Sequence, residues 1–199
     1  MGTVRREAVN PLAALFMTRA RLAMKPGSAQ EVKMSPAART LREGLVVGLI
    51  AYVAVAAFYA LFDLLAARGS LYTLNLLGKA VFRGLRDPAV LQLPVQPDVG
   101  AMALYNALHL GISLAIGLTV TRLAAQAERR PGQAQLAGLT IVTGFFVTIL
   151  GIGLLSTPIR PVLPWWSIVV ANALAVLLAG SYLIRKHPGT WRRLIPFIG

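Results

Sequence analysis

Residues Gly100 to Thr121 read GAMALYNALHLGISLAIGLTVT, twenty-two residues without a single Asp, Glu, Lys or Arg. At ~1.5 Å per residue, a helix of that length reaches about 33 Å and crosses the ~30 Å hydrocarbon core of a bilayer. The run is apolar but not uniform, because it carries Tyr105, Asn106 and His109. With Ser113 these residues are offset by three, four and seven positions, so they share one side of a helix. Unpaired polar groups in hydrocarbon cost several kcal/mol, which predicts that this side faces other helices rather than lipid.

Three further runs of similar length, 44–67, 136–157 and 163–184, make the expected fold all-α: a polytopic membrane protein with four transmembrane helices. Composition agrees. Hydrophobic residues make up 56% of the 199-residue chain and charged residues only 14%, against roughly 25% in soluble domains. The formal net charge is +13, but the twenty Lys and Arg cluster between the apolar runs. That is the distribution of basic flanks beside a bilayer and not of a nucleic-acid-binding face, so no nucleic-acid partner is expected. The chain has no Cys, which removes disulfides, Fe–S ligation and thiol catalysis together.

Working outward toward the amino terminus, residues 1–34 form a basic arm and residues 35–199 a single transmembrane domain. Eight Lys and Arg oppose three Glu before Gly44, which predicts a cytoplasmic location. Asn10-Pro11 is a cap followed by proline, and Leu12, Leu15, Phe16 and Leu22 fall on one side of the helix that follows. An amphipathic helix is expected there, with Arg19 and Arg21 anchoring it at the headgroups or on a partner protein. Ser35-Pro36 repeats the cap signal, so one helix is predicted from Pro36 through the first span to about Arg68. Within it Gly44-Leu-Val-Val-Gly48 matches GxxxG, a pattern that admits a second helix at close range. Asp63 is the only acid inside a span. Its readings are an interfacial cap and a functional carboxylate.

The loop from Gly69 to Val99 predicts an interfacial helix over 73–86, lying flat on the periplasmic side. Thr73 would cap it, Leu74, Leu77, Val81, Phe82 and Leu85 would form its apolar face, and Asn75, Lys79, Arg83 and Arg86 its polar face. The second span, Gly100 to Thr121, ends at Arg122, and Glu128 to Gln133 reads as a tight polar turn. The third span, with Gly138, Gly144, Gly151 and Gly153, reads as a helix built for close packing. Trp165 and Trp166 open the fourth span as an aromatic anchor, and Arg185 and Lys186 close it. Ala171, Ala175 and Ala179 form a small-residue stripe on it.

Four spans place fifteen Lys and Arg on one side and five on the other, so both termini are expected in the cytoplasm of a bacterial inner membrane. Counting nine residues inward from each periplasmic span end reaches Phe58 or Tyr59, His109, Thr148 and Asn172. All would sit about 13 Å below the boundary. The expected buried polar layer therefore comprises Tyr59, Asp63, Tyr105, Asn106, His109, Thr148 and Asn172. No HExxH, GxSxG, P-loop or paired-carboxylate pattern accompanies it, so no enzyme is expected.

Phe62-Asp63-Leu64, Tyr72 to Gly78 and Tyr105-Asn106-Ala107-Leu108-His109 resemble a class of small, uncharacterised bacterial inner-membrane proteins. The resemblance spans roughly residues 44 to 121. It implies the four-helix plan and a shared Asp, Tyr and His set, and brings no activity. The expected function is a non-catalytic accessory subunit packed against other membrane-protein subunits of a larger complex, plausibly respiratory or photosynthetic electron transfer. The alternatives are a small-molecule, lipid or proton pathway using the His109 layer, and a pigment- or quinone-binding protein. No cofactor is expected, and His109 is the candidate ligand if a pigment or quinone is bound.

Overall fold

The computed structural model describes residues 35–84 and 96–189. The basic arm with its expected amphipathic helix, Arg19 and Arg21 lies outside the described residues. So do Leu85 and Arg86 of the expected interfacial helix. The described residues form helices α1 (Pro36–Leu65), α2 (Tyr72–Phe82), α3 (Val99–Arg129), α4 (Ala134–Leu155) and α5 (Trp165–Lys186). Single 3-10 turns at Pro131–Gln133 and Thr157–Ile159 precede and follow α4, and there is no strand among the described residues.

All but α2 are long and apolar enough to cross a membrane, and the chain is a multi-pass membrane protein. Large apolar side chains such as Leu49, Val53, Leu136, Phe146 and Leu177 project outward along these helices, a surface that only lipid covers well. The helix ends differ from the apolar runs in one place that matters. Helix α3 continues two turns past Arg122, where the apolar run ends, to Arg129, and there Leu123 and Ala127 pack with Ala134 and Ala137 of α4 in a small cluster.

Helix α1 is the centre, with α3 and α5 packed on it. Its GxxxG pair is used. A Cβ added at Gly117 of α3 would lie 2.5 Å from Gly44 O and 2.6 Å from Gly48 Cα, and one added at Gly48 would lie 2.6 Å from Leu114 Cα. The two backbones therefore touch where three glycines meet, a separation that a side chain would forbid. Val47 of α1 packs with Ala179 and Leu183 of α5 and, less deeply, Val120 of α3. The expected alanine stripe is realised, with Ala171, Ala175 and Ala179 all buried.

The expectation for α4 is corrected. A Cβ at Gly144 or Gly151 would meet nothing within 4 Å, so these glycines do not mediate packing among the described residues. Gly153 is covered, by the Trp165 ring that opens α5. Arg160 sits 5.5 Å over that ring, and Trp166 turns its edge to Phe62 at 5.7 Å. At the opposite end Arg185 and Lys186 occupy the last turn of α5, where cations complement the helix dipole.

Candidate functional site

Two polar clusters and one groove stand out, and they occupy different levels of the bundle. The first cluster lies where α1 gives way to α2. Ala67 and Gly69 adopt left-handed backbone, φ 54° and 82°, and turn the chain sharply. The turn returns Thr73 to Asp63: its N–H donates to Oδ2 and its hydroxyl to Oδ1, both at 2.6 Å. Thr73 is thus not the cap of α2. The cap comes from Asp63 on another helix, which satisfies one of the N–H groups that a helix start leaves open. Arg68 approaches the same carboxylate at 3.9 Å, donates to Val162 O at 3.0 Å and stacks on Phe62 and Tyr72. Asp63, 1% exposed, is therefore a structural tie between α1 and α2.

The amphipathic division expected for α2 is also corrected. Asn75 is buried, and Val81, placed on the apolar face, is exposed. Asn75 goes inside because its amide bridges the returning chain, donating to Gln96 O at 3.3 Å and accepting from Asp98 N at 2.9 Å. Lys79 also donates to Gln96 O, and Arg83 pairs with Asp98 at 2.9 Å. Asp98 in turn accepts from Ala101 N at 2.9 Å and caps α3. Arg83 and the Ala101 N–H hold the Asp98 carboxyl below its ordinary range. Gly78 completes the clamp, since a Cβ there would lie 2.6 Å from Ala101 O.

Between this clamp and the middle of the bundle lies a groove of about 380 Å³, within the usual range of ligand pockets. Leu71, just before α2, and Leu74 and Leu77 of α2 roof it, Tyr52, Ala56, Tyr59 and Asp63 come from α1, and Tyr105, Asn106 and His109 from α3. Of the seven residues expected in one polar layer, the structure brings five together here. Thr148 and Asn172 are not among them. Thr148 donates to Gly144 O and Asn172 to Ile168 O, each within its own helix, so backbone carbonyls one turn back satisfy them.

Tyr52 is the residue that the equal-depth count misses. Its hydroxyl donates to Asn106 Oδ1 at 2.7 Å, and its ring lies 5.2 Å from the His109 ring, which the Tyr105 ring also approaches at 6.2 Å. The count failed because register is set by the three-glycine contact, which matches His109 to a position nearly two turns deeper on α1 than Phe58 or Tyr59. A signal was present: Tyr52, Tyr59 and Asp63 are spaced by seven and four, one face of α1.

The second cluster is at the other end of the bundle. His187, just past α5, places Nε2 3.0 Å from Glu43 Oε2 on α1 and Nδ1 3.0 Å from Glu128 Oε1 on α3. Arg39 donates to the second oxygen of Glu43 at 2.9 Å. Only imidazolium has two N–H donors for two carboxylates. Burial pulls the His187 pKa down, but hydrogen bonds and charge from Glu128 and Glu43 outweigh it and raise the pKa above 6.5.

Among the described residues no group of three His, Cys, Asp or Glu is placed to hold a metal ion. Compared with protein-family models, curated proteins and solved structures, the chain matches none of them.

Proposed function

We propose that this chain is a non-catalytic protein of a bacterial inner membrane, both termini in the cytoplasm, that holds a small lipid-soluble molecule in the groove between α1, α2 and α3. The asymmetry of Lys and Arg between the two sets of loops supports the orientation. The observation that carries the binding reading is the groove itself, which extends from beneath α2 down to His109 and gathers polar side chains at a depth where an empty, unpaired surface is costly. Two features give it a fixed shape: the Asp63 and Asp98 ties hold α2 as a roof, and the glycine contact holds α1 and α3 below.

The test is purification from native membranes in mild detergent, followed by solvent extraction, mass spectrometry and an absorption spectrum. One class of lipid-soluble molecule is expected in near-stoichiometric amount. Ala56→Phe, which fills the groove from α1, should deplete it without lowering the melting temperature. An extract indistinguishable from bulk membrane lipid would overturn the reading.

A second reading is favoured by α4. Gly144 and Gly151 present bare backbone outward, and other membrane proteins use such surfaces to admit a helix closely. On this reading the chain is an accessory subunit of a larger membrane complex, plausibly one of electron transfer. Co-purification of a defined set of subunits, lost on Gly144→Leu or Gly151→Leu but not on Ala56→Phe, is the result that favours it.

A further inference from the structure

The chemistry of the groove narrows what it can hold, given the reading above that it is a binding site. No Lys or Arg is among the described lining residues, so a fatty carboxylate or a phosphate would enter without a counter-charge from them. The one acid among the described lining residues, Asp63, is 1% exposed, has both oxygens engaged by Thr73 and has the Arg68 guanidinium 3.9 Å away, so its charge is already answered within the protein. What remains is neutral. Tyr52 spends its hydroxyl on Asn106 Oδ1. That leaves the Asn106 amide hydrogens, the Tyr105 hydroxyl and both His109 ring nitrogens without a hydrogen-bond partner among the described residues, although all three side chains line the groove.

This set offers several donors and two acceptors, the Tyr105 oxygen and one His109 ring nitrogen, within about one helical turn of α3, flanked by flat rings. The Tyr52 and Tyr105 rings lie 5.2 and 6.2 Å from the His109 ring, the separation at which aromatic groups stack or meet edge to face. Val53, Ala57 and Leu71 on the groove wall are exposed, so the space is open sideways toward lipid. We infer that the groove takes a neutral, flat ring bearing carbonyl or hydroxyl oxygens on an apolar tail, the quinone and quinol class. A ring oxygen meets His109 and Asn106, and the tail leaves between α1 and α2 into the bilayer. The inference concerns binding only.

The experiment uses the full chain in lipid nanodiscs and three radiolabelled probes with the same ten-carbon tail: a decyl-benzoquinone, decanoate and decyltrimethylammonium. The quinone alone is expected to bind saturably, one per chain. His109→Leu and Asn106→Leu should each weaken it about tenfold, the size of one lost hydrogen bond, while His109→Gln, which keeps a donor and an acceptor, should retain most of it. A charged probe that saturates as tightly as the quinone overturns the inference and leaves a groove that binds lipids. So does quinone binding that Ala56→Phe blocks but His109→Leu and Asn106→Leu do not alter. Saturable binding of none of the three overturns both this inference and the groove as a binding site. The wild-type panel decides the matter even if a leucine variant fails to fold.

Discussion

At the scale of single residues, two side chains and one missing side chain determine most of what the bundle can do. Gly117 is the missing one. Its backbone lies against Gly44 and Gly48, so Gly117→Val must push α1 and α3 apart. A loss of about 1–3 kcal/mol, the range for overpacked cores, is expected as a lowered melting temperature in detergent. Gly144→Ala is the matched control, since a Cβ there meets nothing within 4 Å; it should leave stability unchanged or raise it by up to ~1 kcal/mol through helix propensity. Asp63 is the second. Replacing it with Leu strands the buried Thr73 N–H and hydroxyl, at a cost of about 1–3 kcal/mol each way such groups are usually measured. Asp63→Asn, which can still accept from the N–H, should be the milder change; hydrogen exchange at the start of α2 is the direct readout. A functional carboxylate would give no such ranking, with stability intact and ligand binding or transport lost in both variants. His109 is the third, and its role is the one tested by ligand binding above.

At the scale of elements, α2 and the His187 junction show how short connections fix long helices. Helix α2 has only eleven residues, too few to be a stable helix alone, and its order comes from what surrounds it. Asp63 caps it from α1, Leu76 buries against Ile159, Leu163 and Ile168, and Asn75, Gly78 and Arg83 join it to the start of α3. Arg83→Ala removes an exposed ion pair and should cost no more than about 1 kcal/mol. At the other end His187 joins three helices through Glu43 and Glu128, with Arg39 balancing Glu43. Because the folded pKa of His187 is raised, its contribution to stability is fully present below about pH 6.5, the unfolded value, and is lost as pH rises through the higher folded value. Melting temperatures measured between about pH 5.5 and 8.5 should therefore fall toward the alkaline end. His187→Gln should flatten that slope and leave the groove intact, because the two sites lie at opposite ends of α1 and α3.

At the scale of the whole molecule, the arrangement is one central helix with partners of unequal closeness. Helices α3 and α5 lie tightly on α1 through glycine and alanine, whereas α4 is peripheral and leaves two glycines bare. A helix so placed is the one whose outward face a neighbouring subunit could cover. Cross-linking from cysteines introduced at Gly144 and Gly151 in native membranes should capture a second protein if the accessory reading holds, and only lipid if the chain acts alone. Four helices long and apolar enough to cross a bilayer, and the GxxxG contact, were legible in the sequence, because a bilayer demands long apolar helices and small residues where they touch. The five groove residues were legible as a group for the same reason: polar side chains at depth must face inward. Tyr52 was not, nor was the burial of Asn75. Those depend on which turn of α1 meets which turn of α3, and on where the chain returns after α2. Hydropathy carries neither quantity. By itself the sequence determined that the chain lives in a bilayer as four helices, since no other solvent suits its composition. Only the tertiary structure decided register, and with it which polar groups meet, because close approach at three glycines fixes the sliding position of two helices that periodicity leaves free.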